Sequence, residues 1–379
     1  MTDANQVVRR LLDYLEPRID LDHLERVAAR HRAALRYEEV DRVPLVCYLP
    51  YEGEDFTPYP YPEAFADPAK LMVNELLSGF TSIYEAVGLR DDAPYCLRPN
   101  LGIAIIASML GGQIRVVGDQ LPWVVPFEDM GAIQKIVDAP VPDTSSGLLP
   151  RVLDQYAYFR EVLAGCPKCH AAFQLTLPDL QGPFDTAELL MGSDIFLAFY
   201  QDTELLSAFL SKITDTMLVA YRRLIAEVRD NIGPECQYQH AVGVKGKILL
   251  RSDSVLMISP EQYRDLVMPH DARLAEELNG IAIHFCGNGQ HQVDNMLSIS
   301  KLQCLDLGQS WMMDVDAIYA KASVRKVPLA RVVVSEAELR MDQVSQRFPT
   351  GVILVYRAET VSQGKEVWRQ YVGEACGRD

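Results

Sequence analysis

The chain has 379 residues and a formal net charge of −16, with 36 Lys and Arg against 52 Asp and Glu. That balance argues against nucleic acid or an anionic membrane as a main partner. No apolar run approaches the roughly 18 residues of a membrane span, and a hydrophobic content of 49% is enough for the large core of a single α/β barrel.

The start is polar and shows no export signal. The eight cysteines are therefore expected as reduced thiols in a cytoplasm, not as a disulfide framework. Residues 1–36 repeat Val7, Leu11, Leu15, then Leu21, Leu24, Val27 and Ala28 at helical spacing, which predicts a helical extension before the first strand. Such an extension either caps the bottom of a barrel or packs on a second subunit. The first strand is expected over 42–49. The Tyr-, Pro- and Glu-rich stretch 50–65 reads as a long loop, a common carrier of function. Helices follow near 68–86 and 103–110, separated by a break at 91–102. A short strand is expected at 114–117, a loop at 119–123 and a helix at 129–137.

An amphipathic helix at 149–163 leads into Cys166-Pro167-Lys168-Cys169-His170. That is the spacing of a c-type haem attachment, but haem attachment normally requires export, and no second cysteine pair supports a zinc site. The place suits a helix-to-strand loop before a strand at 171–177. A long helix opens at Asp202, with Leu206, Phe209, Leu210, Ile213 and Met217 as its apolar stripe. Strands are expected at 236–242 and 248–253. Ser259-Pro260-Glu261-Gln262 starts the next helix with a Ser cap, Pro at the first position and Gln at the third, and Asn279-Gly280 stops it. Strands at 281–286, 302–307, 330–335 and 351–356 then alternate with helices at 290–299, 315–322, 336–347 and 362–374. This alternation is the parallel βα pattern.

Chemistry concentrates in Ile281–Gly289. Alternation places His284 and Cys286 on one face at a strand's carboxyl end, before a Gly-Asn-Gly turn that lets a ligand approach. Both are zinc ligands, and Cys is also a nucleophile. Cys304 and Asp306 share a face of the next strand, so either can complete a metal site, as can Asp253 or His240. Cys304 is otherwise a buried core thiol. Asp253 and Asp306 end strands at the barrel's catalytic end. His291 follows the glycine turn and either faces the site or is solvated. Arg98 and Asn100 lie in a loop where Arg98 would hold a carboxylate or stack on Tyr95. Trp123 would wall a pocket or sit in the core. Asp179 and Gln181 occupy a strand-to-helix loop on the same face, with Asp185 reserved as a helix cap.

Val40-Asp41-Arg42-Val43-Pro44, Gln181-Gly182-Pro183-Phe184-Asp185-Thr186-Ala187, Asp202-Thr203-Glu204-Leu205 and Ser259-Pro260-Glu261-Gln262-Tyr263 through Met268-Pro269 together resemble the uroporphyrinogen decarboxylase superfamily. His284-Phe285-Cys286-Gly287-Asn288 is similar to its zinc- and corrinoid-dependent methyltransferase branch. The resemblance implies a (β/α)8 TIM barrel as one domain over 1–379, often dimeric. It also implies methyl transfer between a small substrate or thiol and a corrinoid on a partner protein, assisted by zinc at His284 and Cys286. Two departures stand out. The Arg-rich N-terminal segment of porphyrinogen decarboxylases is missing. The branch's third zinc ligand, a Cys after the last strand, is absent from 351–358, and Cys376 is a poor substitute. The alternatives are a cofactor-free decarboxylase or lyase using Asp253 or Asp306 with Arg98 on a carboxylate, or a binding barrel that has lost catalysis.

Overall fold

A computed structural model describes residues 3–228, 232–340 and 344–373. Its strands are β1 (Leu45–Tyr48), β2 (Cys96–Leu97), β3 (Gln113–Arg115), β4 (Trp123–Val125), β5 (Gln174–Leu175), β6 (Cys236–Gln239), β7 (Val242–Lys245), β8 (Ile248–Arg251), β9 (Ile281–Phe285), β10 (Leu302–Leu307), β11 (Leu329–Val333) and β12 (Val352–Arg357). Six of them form one parallel sheet in the order β1-β12-β11-β10-β9-β8. The remaining staves are short. β2 pairs in parallel with β5, and the chain after β5 reaches β8 through a parallel bridge from Gln181 to Arg251. The Asp92 N–H, just before β2, donates to the Leu45 carbonyl of β1 at 3.3 Å. Eight parallel staves thus follow one another in sequence order, the TIM-barrel arrangement. Staves covered on both faces need apolar residues throughout, which explains the unbroken run Val352-Ile353-Leu354-Val355, all buried.

Helix starts follow their caps. Asp67 and Asp202 accept N–H bonds at the heads of Pro68–Ser78 and Thr203–Ile225, and Ser259 with Gln262 completes a capping box. The helix that follows is not uniform. Tyr263–Val267 forms a π turn before Met268–Leu278, where Pro269 offers no N–H to an α ladder. It ends at Asn279 in the left-handed region, φ 58°.

Three strand expectations change. The 171–177 strand shrinks to Gln174–Leu175 because Pro167–Ala172 is helical, with Cys166 at its cap and the Lys168 and Cys169 N–H groups held by the Glu16 carboxylate. Cys169 is buried, so the Cys-Pro-Lys-Cys-His stretch is packing. The 114–117 strand is half of an antiparallel hairpin with β4. The described parts of the expected 336–347 helix, Glu336–Arg340 and Val344–Arg347, are helical, and 341–343 lie outside the described residues. Cys376 also lies outside them.

The largest surprise is the stretch 236–242. It is not a stave but one arm of the antiparallel hairpin β6–β7, and the hairpin sits inside the barrel. Its Tyr238, Ala241, Val242 and Val244 form one buried cluster with Val46, Leu249, Ala282, Cys304, Ala330 and Ile353 from β1 and β8–β12. The helix Leu21–Leu35 closes the bottom beneath it. His31 Nδ1 accepts the Gly243 N–H at 3.0 Å, and a Cβ on Gly243 would come within 2.8 Å of that nitrogen. The tip residues His240 and Ala241 both have positive φ, 52° and 59°, the signature of a tight primed turn that usually takes Asn-Gly.

Candidate functional site

Register stacks the inward side chains in layers. Leu249, Ala282 and Cys304 share the lower layer against the hairpin. Arg251, His284 and Asp306 pair across the strands two residues further on. Another two residues on stand Asp253, Cys286 and Gly308, at the carboxyl mouth. Cys304 therefore stays one layer too low to share a ligand with His284 and Cys286. Its Sγ lies 3.7 Å from the Leu305 carbonyl, and burial pushes the thiol up. It is a core thiol.

The middle layer is a buried ion network. Arg331 Nε and Nη2 donate to Asp306 Oδ1 and Oδ2 at 2.6 and 2.9 Å. Arg331 reaches inward because β11 carries an irregularity between Leu329 and Val332, with Arg331 itself at φ 53°. A bulge re-aims a side chain in this way. Burial alone would raise the Asp306 carboxyl, but Arg331 and then His284 hold it well below the usual carboxylate range. Asp179 behaves likewise. Burial opposes its charge, while Arg251 and Arg98 depress it, at 2.5 and 2.7 Å. Arg98 also meets Glu75 at 3.4 Å. It is thus paired with two carboxylates of the chain itself, its Nε left without a hydrogen-bond partner among the described residues, and lies over Phe80, 4.9 Å from the ring centre, not Tyr95. His240 stacks on Phe80 with ring centres 4.1 Å apart and contacts Arg251. Burial, reinforced by Arg331 and Arg251, lowers its pKa to about 3, so it is a neutral imidazole at neutral pH.

The mouth layer holds the reactive groups. His284 Nε2 lies 3.4 Å from Cys286 Sγ and 3.7 Å from Asp253 Oδ1. Ligand atoms of Asp253, His284 and Cys286 all fall within 4.8 Å of one another. Asp253 Oδ1 accepts the Cys286 N–H at 2.6 Å. Asp253 is set in turn by Asp185, whose Oδ1 accepts the N–H groups of Asp253 and Ser254 at 2.7 and 2.9 Å. Asp185 is therefore not a helix cap but a buried brace for the loop after β8. A Cβ on Gly308 would meet His284 Cε1 at 2.5 Å and Cys286 Sγ at 2.8 Å, so only glycine leaves this room. Burial, with the Asp253 charge, pushes the Cys286 thiol up to about 11. Free of a cation it is a thiol, not a nucleophilic thiolate.

The residue set fits a three-ligand catalytic zinc. Asp253, after β8, offers the third ligand atom beside His284 and Cys286. A metal on His284 Nε2 requires the proton on Nδ1. The Asp306 carbonyl at 3.2 Å is placed to take it, while Arg331 Nη2 at 2.6 Å competes for the same nitrogen.

Other expected residues go elsewhere. Trp123 is 57% exposed on the hairpin of β3 and β4, so it is not a core residue. His291 is exposed on the short turn Gln290–Gln292 and does not join the group. Asn100 accepts the Tyr61 hydroxyl through its carbonyl at 3.0 Å. Asp179, Gln181 and His240 are buried in the middle layer. Gln181 Oε1 and Arg251 Nη1 have no hydrogen-bond partner among the described residues. Sequence reasoning missed Glu75, Phe80, Arg251 and Arg331. A lone Arg inside the apolar run Leu329–Val334 was the one available signal. Phe80 also borders a cleft of about 560 Å³ at the same end of the barrel, with Tyr48, Tyr51, Pro58 and Arg357.

A family model described as uroporphyrinogen decarboxylase (URO-D) matches residues 28–330. The chain belongs to the uroporphyrinogen decarboxylase family. No curated protein matches this family member. The crystal structure of the YdhT protein from Bacillus subtilis aligns over 94% of this chain and 89% of that one, at 12% identity and a TM-score of 0.35, and such a likeness carries no argument. No helix among the described residues of this uroporphyrinogen decarboxylase family protein is long and apolar enough to cross a membrane.

Proposed function

We propose that this barrel is a methyltransferase-like enzyme that holds zinc through His284, Cys286 and Asp253. It would move a methyl group between a small thiol or methylated substrate and a corrinoid carried by a partner protein. The observation that carries the reading is the convergence of three ligand atoms within 4.8 Å at the barrel mouth, in the one place where Gly308 leaves space beside them. When bound, zinc supplies Lewis acidity that favours a substrate thiolate or polarises a leaving group.

The chain's own residues do the rest. Asp306 orients His284, Asp185 braces the Asp253 backbone, and Asp253 holds the Cys286 N–H. Gln181 Oε1 and Arg251 Nη1 are polar atoms left over for a substrate. The cofactor-free lyase reading keeps Asp253 but finds its other two named residues engaged. Arg98 is occupied by Asp179 and Glu75, and Asp306 is occupied by Arg331. The filled interior favours one other reading, a binding barrel without catalysis.

Metal analysis of the purified full chain separates them. About one zinc per chain is expected, falling at least tenfold in Cys286→Ser and Asp253→Asn. Less than a tenth of an equivalent, with activity unaffected by chelator, would sink the metal reading.

A further inference from the structure

At the opposite, N-terminal end of the barrel lies a second cavity of about 620 Å³. It is walled by the helix Leu21–Leu35, the end of Ile83–Leu89 and the helix Val361–Tyr371. Six cations line it: Arg26, Arg30, Arg42, Arg90, Lys365 and Arg369. In a chain of net charge −16, that concentration is the reverse of what composition predicts. Two of the six are neutralised within the fold. Arg30 pairs with Asp41 and Asp92, and Arg42 with Asp92. Arg90 has only Asp20, at 3.5 Å. Arg26, Lys365 and Arg369 make no hydrogen bond or ion pair among the described residues. Among the described residues, Asp20, Asp41 and Asp92 therefore leave three positive charges unmatched. His23 adds none at neutral pH, because burial lowers its pKa.

Arg90 ends its helix in the left-handed region, φ 58°, where glycine is the unstrained choice. Its side chain is 59% exposed, so the strain is not compensated by burial of Arg90. A Cβ added to Gly88 would meet nothing within 4 Å, so the cavity wall is open there. Trp368 is buried, and Arg42 stands 4.7 Å over its ring. With its face taken, Trp368 cannot stack on a base or sugar.

We infer that this cavity binds the oligophosphate group of a small molecule. Several Arg forks and one Lys match phosphate oxygens, and three unmatched charges suit a multivalent group better than a single inorganic phosphate. The cavity is within the size range of small-molecule sites. It lies at the far end of the barrel from Cys286, so it is a site separate from the metal group.

Isothermal titration calorimetry of the full chain with inorganic triphosphate, pyrophosphate, orthophosphate and citrate tests this. Triphosphate is expected to bind one per chain, at least tenfold tighter than orthophosphate or citrate, and to weaken as salt rises. Arg26→Ala/Arg369→Ala removes two exposed, unpaired cations and is expected to cost at least tenfold in triphosphate affinity, with an unchanged melting temperature. Lys365→Ala is a second, milder variant and should lose about threefold. Cys286→Ser should bind triphosphate as the parent does, which separates the site from metal chelation. Triphosphate no tighter than orthophosphate, citrate as tight as triphosphate, undiminished binding in the double variant, or binding lost in Cys286→Ser would each overturn the assignment.

Discussion

Arg331→Met is the sharpest test of the buried ion network. The substitution keeps the side-chain length and removes the charge that two bonds of 2.6 and 2.9 Å bring to Asp306. Both residues are buried, so a carboxylate is left in low dielectric with His284 and His240 as its remaining close partners. Breaking one side of such a pair costs about 3–5 kcal/mol, mostly the penalty of the stranded charge. Arg331→Met/Asp306→Asn removes the stranded charge as well, so its cost should fall at least about 2 kcal/mol short of the sum of the two single costs. The pH dependence carries a sign. Asp306 is depressed in the fold, so its contribution is present above the ordinary carboxylate pKa and is lost as pH falls through the folded value. Arg331→Met should flatten that acid limb. Urea denaturation of the four proteins from about pH 2 to about pH 8, which spans the range below the ordinary carboxylate pKa, measures all of this. A single-variant cost below about 1 kcal/mol, or costs that simply add, would refute the reasoning.

Asp271 tests the opposite sign. Burial raises its pKa from 3.8 to about 7, with the Tyr263 hydroxyl working against the shift. Its protonated form is favoured in the fold, so stability is fully present below 3.8 and is lost as pH rises to about 7. Asp271→Asn should stabilise more at pH 8 than at pH 4, by up to about 4 kcal/mol, and equal effects at both pH values would contradict this. Ala241→Gly should stabilise by about 0.5–1 kcal/mol in thermal denaturation, because Ala241 stands at φ 59°. Gly308→Ala drives a methyl group into His284 and Cys286 and should lower zinc content at least tenfold while the far-UV circular dichroism stays unchanged.

The site was legible where alternation holds. From Ile281 to Cys286 the period of two runs without interruption, so His284 and Cys286 were placed on one face from residues alone. Asp253 ends an apolar run in the same way. Arg331 was hidden because the irregularity in β11 breaks parity. The hairpin was hidden because its turn is His240-Ala241, with none of the Asn or Gly that marks a primed turn. β2 and β5 are two residues long, too short for any period. Arg98 was expected to hold a substrate's carboxylate, and here it holds carboxylates of the protein. Its carboxylates come from Glu75 and Asp179 of the same chain, a pairing that only the tertiary structure reveals.

The hairpin inside the barrel also constrains how the chain folds. Residues 236–245 lie between parts of a ring whose first and last strands, β1 and β12, pair with each other across the whole sequence. The buried cluster at the barrel's centre is complete only when the hairpin and the ring strands are both in place. Most of the contacts that define the barrel are non-local, and such contacts make folding slow. A cut or insertion at the hairpin tip should thus be felt at β1 and β12, hundreds of residues away in sequence, as a failure of the two ends of the chain to meet.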